Sequence, residues 1–346
     1  MISQGKRLRL LLAGLIGLAT PIAASVTVSA QDDKLHIAVA MNWESQQRWK
    51  FDRAGMEAEA SKHGAEISIL YANNDATKQI SQVEALLSQN PDVLIIDPAD
   101  KQAAGQFVLA AHEQGVPVIA YDEPITGQKI DHFVGRDNYA AGVMQAEEAL
   151  KFAASGKYAL ITGDPSFEIA QVIRQAWVDT LSKKPSVKVV FDQSIRANDP
   201  AGALAAAENA FSANKDDLQA LMIPFDPIAS VVAQAILSRD LQGKVFLSGL
   251  DGETASLNLI AKGVQTMTVF ANYYDAGVSA VQAAVMLAQK KTPQVSKMVD
   301  FGAGEVPTYY IPLTAVTKEN VCEVVKSAPE GWTSVSAVFD NPEDCK

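Results

Sequence analysis

Cysteine is nearly absent from this chain: Cys322 and Cys345 are the only two among 346 residues, and both stand in the last 25. A cysteine-rich zinc set is therefore excluded. Histidine is scarce as well, and none of His36, His63, His112 and His132 lies near either cysteine, so a thiol nucleophile would lack an adjacent base. No His-Glu-x-x-His helix, Gly-x-Ser-x-Gly elbow or twelve-residue calcium loop occurs. Gly302-Ala303-Gly304 opens like a dinucleotide fingerprint but continues to Pro307 where a third glycine is required. Ser155-Gly156-Lys157-Tyr158 lacks the flanking residues of a phosphate loop. These absences read as a protein without catalysis and without a cofactor. Positive charge is also in deficit, with 29 Lys+Arg against 40 Asp+Glu, which argues against a nucleic-acid partner.

What is present begins with a leader. Lys6, Arg7 and Arg9 precede an apolar stretch over 8–24, and Val28-Ser29-Ala30 offers a small-residue cleavage site. Thr20 and Pro21 interrupt the stretch, leaving it short of the roughly 20 residues that span a bilayer. Residues 1–30 therefore read as a cleaved export signal, with Gln31 first in the mature chain, which would carry 26 basic and 40 acidic residues. No cysteine near that point could accept a lipid. In an oxidising compartment Cys322 and Cys345 are expected to bond and close an extension over 321–346.

About 316 remaining residues exceed the usual limit of one core, so two domains are expected. Apolar, β-branched runs over 35–40, 65–71, 93–96 and 116–121 alternate with segments of helical spacing, such as Ile80, Val83 and Leu87. The rhythm restarts after Asp137, with runs at 158–162, 187–191, 220–223, 245–247 and 266–270. This is the pattern of an α/β protein with two doubly wound parallel sheets. No Pro- or Gly-rich linker separates them.

Ligands of open parallel sheets bind beyond the carboxyl ends of the strands. Those positions hold 42–48, 73–75, 97–100, Asp122-Glu123, Asp137-Asn138, 164–168, Asp226 and Asp251, with aromatics at Trp43, Trp49, Tyr121, Phe167 and Phe225. A single Asp there is commonly a helix cap, as Asp75 and Asp164 read. Capping does not account for an acid followed at once by a second acid or by Asn.

Several segments resemble a known family in order and spacing. They are Gln46-Gln47-Arg48-Trp49, Gln79-Ile80-Ser81-Gln82-Val83-Glu84, Val118-Ile119-Ala120-Tyr121-Asp122, Asp137-Asn138, Phe225-Asp226, Ser248-Gly249-Leu250-Asp251 and Gln265-Thr266-Met267-Thr268-Val269. Over about 34–320 the chain resembles the periplasmic sugar-binding proteins of ABC importers, of the ribose-binding type and its xylose-binding branch. The resemblance implies two lobes joined by a three-stranded hinge with a ligand between them. The lobes are expected at 31–135 plus 271–298 and at 136–270 plus 299–320. It further implies a monomer, an ABC permease as partner, a sensor or chemoreceptor as a second partner, and a ligand held by Arg48, Asp122, Asp137, Asp226 and Asp251.

Departures from the family pattern alter the expected chemistry. Glu123 stands where the family has Arg, Glu168-Ile169 where it has an Asn pair, Ala271 where it has Lys, and Asn198 and Gly202 where it has Trp and Asn. Six carboxylates (Asp122, Glu123, Asp137, Glu168, Asp226, Asp251) would then face one Arg48. The first expectation is a monosaccharide or polyol bound by these groups with Asn138, Trp43, Trp49 and Phe225. The alternative is a cationic ligand: calcium or a lanthanide on the six carboxylates, or an organic amine among the aromatics. A periplasmic carbohydrate-active enzyme using paired acids is the remote third.

Overall fold

A computed structural model describes residues 34–44, 47–165 and 167–345. The expected export signal lies outside the described residues. In the first series β1 (His36–Met41) leads to α1 (Gln47–Lys62), β2 (Glu66–Tyr71) to α2 (Ala76–Leu87) and β3 (Val93–Ile96) to α3 (Ala104–Glu113). β4 (Val118–Tyr121) is followed directly by β5 (His132–Gly135). The second series runs α4 (Asn138–Phe152), β6 (Gly156–Thr162), α5 (Glu168–Leu181), β7 (Val187–Ser194), α6 (Pro200–Ala213) and β8 (Ala220–Met222). It continues through α7 (Asp226–Leu237), β9 (Phe246–Leu247), α8 (Thr254–Ala261) and β10 (Met267–Ala271). The last elements are α9 (Tyr273–Ala288), β11 (Lys297–Asp300), β12 (Glu305–Tyr310), β13 (Leu313–Thr317), α10 (Val321–Ser327) and α11 (Val335–Val338).

Seven strands form one sheet in the order β11-β12-β5-β4-β3-β1-β2, parallel except for the β11–β12 pair. Its central strands are buried on both faces, so they read as unbroken apolar runs. Ile37 and Val39 pack on one side; Ala38 and Ala40 pack on the other. The second sheet is β7-β6-β8-β9, all parallel. A bridge from Leu250 to Val269 extends it to β10, which pairs antiparallel with β13. The chain thus changes sheets after β5, after β10 and after β12.

One feature differs from the sequence reading. Residues 299–320 were expected in the second lobe, but Thr308 of β12 pairs with Phe133 of β5, and only β13 belongs to the second sheet. Gly302 and Gly304, at φ of 93° and 99°, make the β11–β12 turn, with both amides donating to Asp300 Oδ1. That turn accounts for the broken glycine motif.

Helices α1 and α9 cross with almost no room between their backbones. A Cβ on Gly55 would stand 2.0 Å from the Tyr274 carbonyl oxygen, and one on Gly277 would stand 2.0 Å from that of Asp52. The close approach sets Arg48 on α1 against Tyr273, the first residue of α9. Cys322 and Cys345 are bonded as expected. The segment they close packs its Trp332, Val338 and Phe339 into the same core as β1, β3, α9 and α8.

Candidate functional site

A cleft of about 810 Å³ lies between the carboxyl ends of the two sheets. Strand ends of both sheets supply its wall. From the first sheet come Asn42 after β1, Asp97 after β3, Asp122 and Glu123 after β4, and Arg136 after β5. From the second come Phe167 and Glu168 after β6, Phe225 after β8, and Asp251 and Glu253 after β9. In the first sheet the strand order reverses between β1 and β3, and there the Asn42 amide donates to Asp97 Oδ2 at 3.0 Å.

Two arginine–carboxylate pairs organise the centre. Arg48 Nη2 donates to Asp122 Oδ1 at 2.8 Å and lies 3.5 Å from Asp52 Oδ1, one helical turn away. Its guanidinium lies 4.1 Å from the centroid of Trp49 and 4.0 Å from that of Tyr273. Arg136 Nη1 donates to Asp251 Oδ1 at 2.7 Å and also to the Tyr273 hydroxyl, which in turn donates to Asp251 Oδ1 at 2.5 Å. Among the described residues Oδ2 of Asp122 and Oδ2 of Asp251 accept no hydrogen bond, so each aspartate keeps an acceptor for a ligand.

The electrostatics follow from burial set against these partners. Desolvation works against Asp122, but Arg48, Arg136 and Lys101 outweigh it and hold the carboxyl below its ordinary range. Asp97 lacks an ion-pair partner among the described residues, and desolvation with the nearby Asp122 charge raises it well above that range against the Asn42 amide bond. Desolvation, reinforced by Asp251, pushes Glu253 up to about 7.

A third cation closes the rim. Lys101 Nζ stands 2.8 Å from Glu123 Oε2 and also pairs with Glu168, which begins α5 on the opposite wall. Trp43, Trp49, Phe225 and Trp332 contribute to the wall as well.

The expected site residues divide on this geometry. Trp43, Arg48, Trp49, Asp122, Glu123, Glu168, Phe225 and Asp251 all line the cleft. Asp226 does not. It is fully buried, accepting from Thr268 Oγ1 at 2.8 Å, Gln265 Nε2 at 3.2 Å and the Glu253 amide at 2.9 Å, and desolvation pushes it up to about 8. Asp137 caps α4 through the Ala140 amide and pairs with Lys297, while Asn138 accepts from Arg136 Nε; both border a small neighbouring hollow rather than the cleft. Arg136, Lys101, Tyr273 and Trp332 were missed from sequence. Arg136 stands beside Asp137-Asn138, so the strand-end signal had come within one residue of it.

Comparison with known proteins fits this architecture. Residues 37–292 match the periplasmic binding protein domain family. The D-xylose-binding periplasmic protein of Haemophilus influenzae is 32% identical over 300 residues, covering 86% of this chain and 90% of that protein. The chain belongs to the periplasmic binding protein family. The multiple sugar-binding periplasmic receptor ChvE of Rhizobium radiobacter is 26% identical over 331 residues, 89% of this chain and 94% of its own. A carbohydrate transporter solute-binding protein from Chloroflexus aurantiacus, solved in complex with D-glucose, superposes with a TM-score of 0.76 at 26% identity, covering 88% of this chain and 98% of its own.

For this family member, the balance of six carboxylates to one arginine expected from sequence is revised. Asp137 and Asp226 leave the wall, while Asp97, Asp100 and Glu253 join it together with Arg136 and Lys101, and Asp122, Asp251, Glu123 and Glu168 each contact a cation. Among the described residues no cluster of three or more His, Cys, Asp or Glu is placed to hold a metal ion. The four carboxylates that the charge argument kept on the wall are thus each met by a cation of the protein itself.

Proposed function

We propose that this protein captures a monosaccharide or polyol between two lobes in the periplasm and delivers it to the permease of an ABC importer, without altering it chemically. The two Arg–Asp pairs facing one cleft carry the reading. Each aspartate offers a charged acceptor to a sugar hydroxyl, each guanidinium offers donors, and the flanking aromatic rings suit the C–H face of a pyranose. All four charges are neutralised in place, so a neutral ligand adds hydrogen bonds without leaving a charge unpaired. The D-xylose-binding and D-glucose-bound relatives support an aldose. The lobes are proposed to be 34–135 with 272–311 and 136–271 with 312–320, hinged where the chain changes sheets, with residues 1–30 acting as the export signal.

The test is a thermal-shift panel of chelator-treated protein against D-xylose, D-glucose, myo-inositol, calcium and a lanthanide. A sugar present at a hundred times its dissociation constant should raise stability by about 2.7 kcal/mol. Stabilisation by a metal ion alone would overturn the reading.

A further inference from the structure

The disulfide-closed C-terminal segment reaches the ligand cleft through one residue. Trp332, between α10 and α11, is 2% exposed and lies on the cleft wall. Its indole N–H donates to the Gly252 carbonyl at 2.9 Å, immediately after Asp251. Its own carbonyl accepts from Gln47 Nε2 at 2.5 Å, immediately before Arg48. Its ring meets Phe51 with centroids 4.9 Å apart, and Phe270 and Tyr273 at 5.8 Å each. Phe51 and Tyr273 belong to the helix pair packed on the first sheet, and Gly252 and Phe270 to the second. One indole therefore touches both halves beside the ligand.

Tyr273 is the consequential neighbour. It is buried and not on the cleft wall, yet its hydroxyl bonds both Arg136 and Asp251 and its ring faces the Arg48 guanidinium. Three ligand-facing groups share this one ring, and Trp332 packs directly against it. Held to a single rotamer, Tyr273 keeps both Arg–Asp pairs ready before a ligand arrives.

We propose that Trp332 is a positioning residue of the ligand site: it seats Tyr273, and through Tyr273 it sets the geometry of Arg48–Asp122 and Arg136–Asp251, while the Cys322–Cys345 bond holds Trp332 in place. The inference rests on the sugar-binding reading for its ligand, and the C-terminal extension becomes part of the binding apparatus rather than an appendage.

Calorimetry with D-xylose and D-glucose as probes tests it on wild type, Trp332→Ala, Trp332→Phe, Tyr273→Phe, the Trp332→Ala/Tyr273→Phe double variant and the Cys322→Ser/Cys345→Ser variant. Trp332→Ala and the cysteine variant should weaken a probe that binds wild type by about tenfold or more, and Trp332→Phe should restore most of the loss. The double variant should bind no worse than the weaker single one, because both substitutions break one linkage. Undiminished affinity in Trp332→Ala, or losses that simply add, would overturn the proposal. Amide hydrogen exchange on the unliganded proteins is the second measurement. Trp332→Ala should speed exchange at 273–276 and 48–52; acceleration confined to 328–345 would refute the coupling. If neither probe binds wild type, the aldose reading fails, and exchange alone decides the positioning role. Should Trp332→Ala not fold, Trp332→Leu takes its place in both measurements with the same expectations.

Discussion

Asp122 and Asp251 both occupy the left-handed region of backbone space, at φ of 59° and 108°. Such conformations cost about 1–3 kcal/mol in a residue with a side chain and persist only where the surroundings hold them. Here the holding groups are Arg48 and Arg136. Removing one carboxylate leaves a buried guanidinium short of its main partner, so Asp122→Ala should destabilise the protein by about 3–5 kcal/mol and abolish ligand binding, measured by denaturant titration and calorimetry. Asp226 and Glu253 raise a different question, that of pH. Desolvation places them at about 8 and about 7, above the ordinary carboxyl range, so between about pH 4 and those values the folded state binds more protons than the unfolded one. Their stabilising effect is complete at the acid end and is lost as pH rises through 7 to 8. The melting temperature should accordingly fall from pH 5 to 8.5, and Asp226→Asn, which keeps the shape without the titration, should flatten that fall. An unchanged slope in the variant would show that Asp226 is already ionised.

At the scale of elements, the α1–α9 contact is the one most sensitive to a single atom. Gly277→Ala drives a methyl group into the Asp52 backbone, and because α1 carries Arg48 while α9 begins with Tyr273, separation of the helices should weaken ligand affinity as well as lower the melting temperature. Loss of stability with full affinity would show that the two effects are separable. The elements also explain what was legible in the sequence. The central strands were, because a strand covered on both faces must be apolar throughout; β5, β11, β12 and β13 were not, because polar residues, glycine or proline interrupt them, as His132 and Gly135 do in β5, Lys297 and Asp300 in the largely exposed β11, Pro307 in β12 and Thr314 in β13. Strand ends pointed to the site, but not to the side of the chain that faces it. Arg136 and Asp137 are neighbours, and in extended backbone neighbouring side chains point to opposite sides; the arginine reaches the cleft and the aspartate caps α4. Trp332 lay outside any strand-end pattern. Only the fold brings the C-terminal segment to the cleft.

For the whole molecule, the bond from Lys101 across to Glu168 is the rim contact that closing would make and opening would break. Its groups are partly exposed, 24% and 51%, so it contributes no more than about 1 kcal/mol and weakens with salt. Glu168→Gln, which leaves the Lys101–Glu123 pair in place, should raise the ligand dissociation rate about fivefold or less, by stopped-flow, and the difference should vanish at high salt. A rate unchanged at every ionic strength would remove the contact from the closing motion. The late position of β12 bears on events before any ligand is met. Its partner β5 lies far upstream, residue 308 opposite residue 133, and β13 joins the second sheet later still. Neither sheet is complete until nearly the whole polypeptide has been made, and pairing over so long a separation is slow. A chain exported as proposed would therefore spend most of its synthesis with both sheets unfinished, which favours passage through a translocation pore before folding rather than after it.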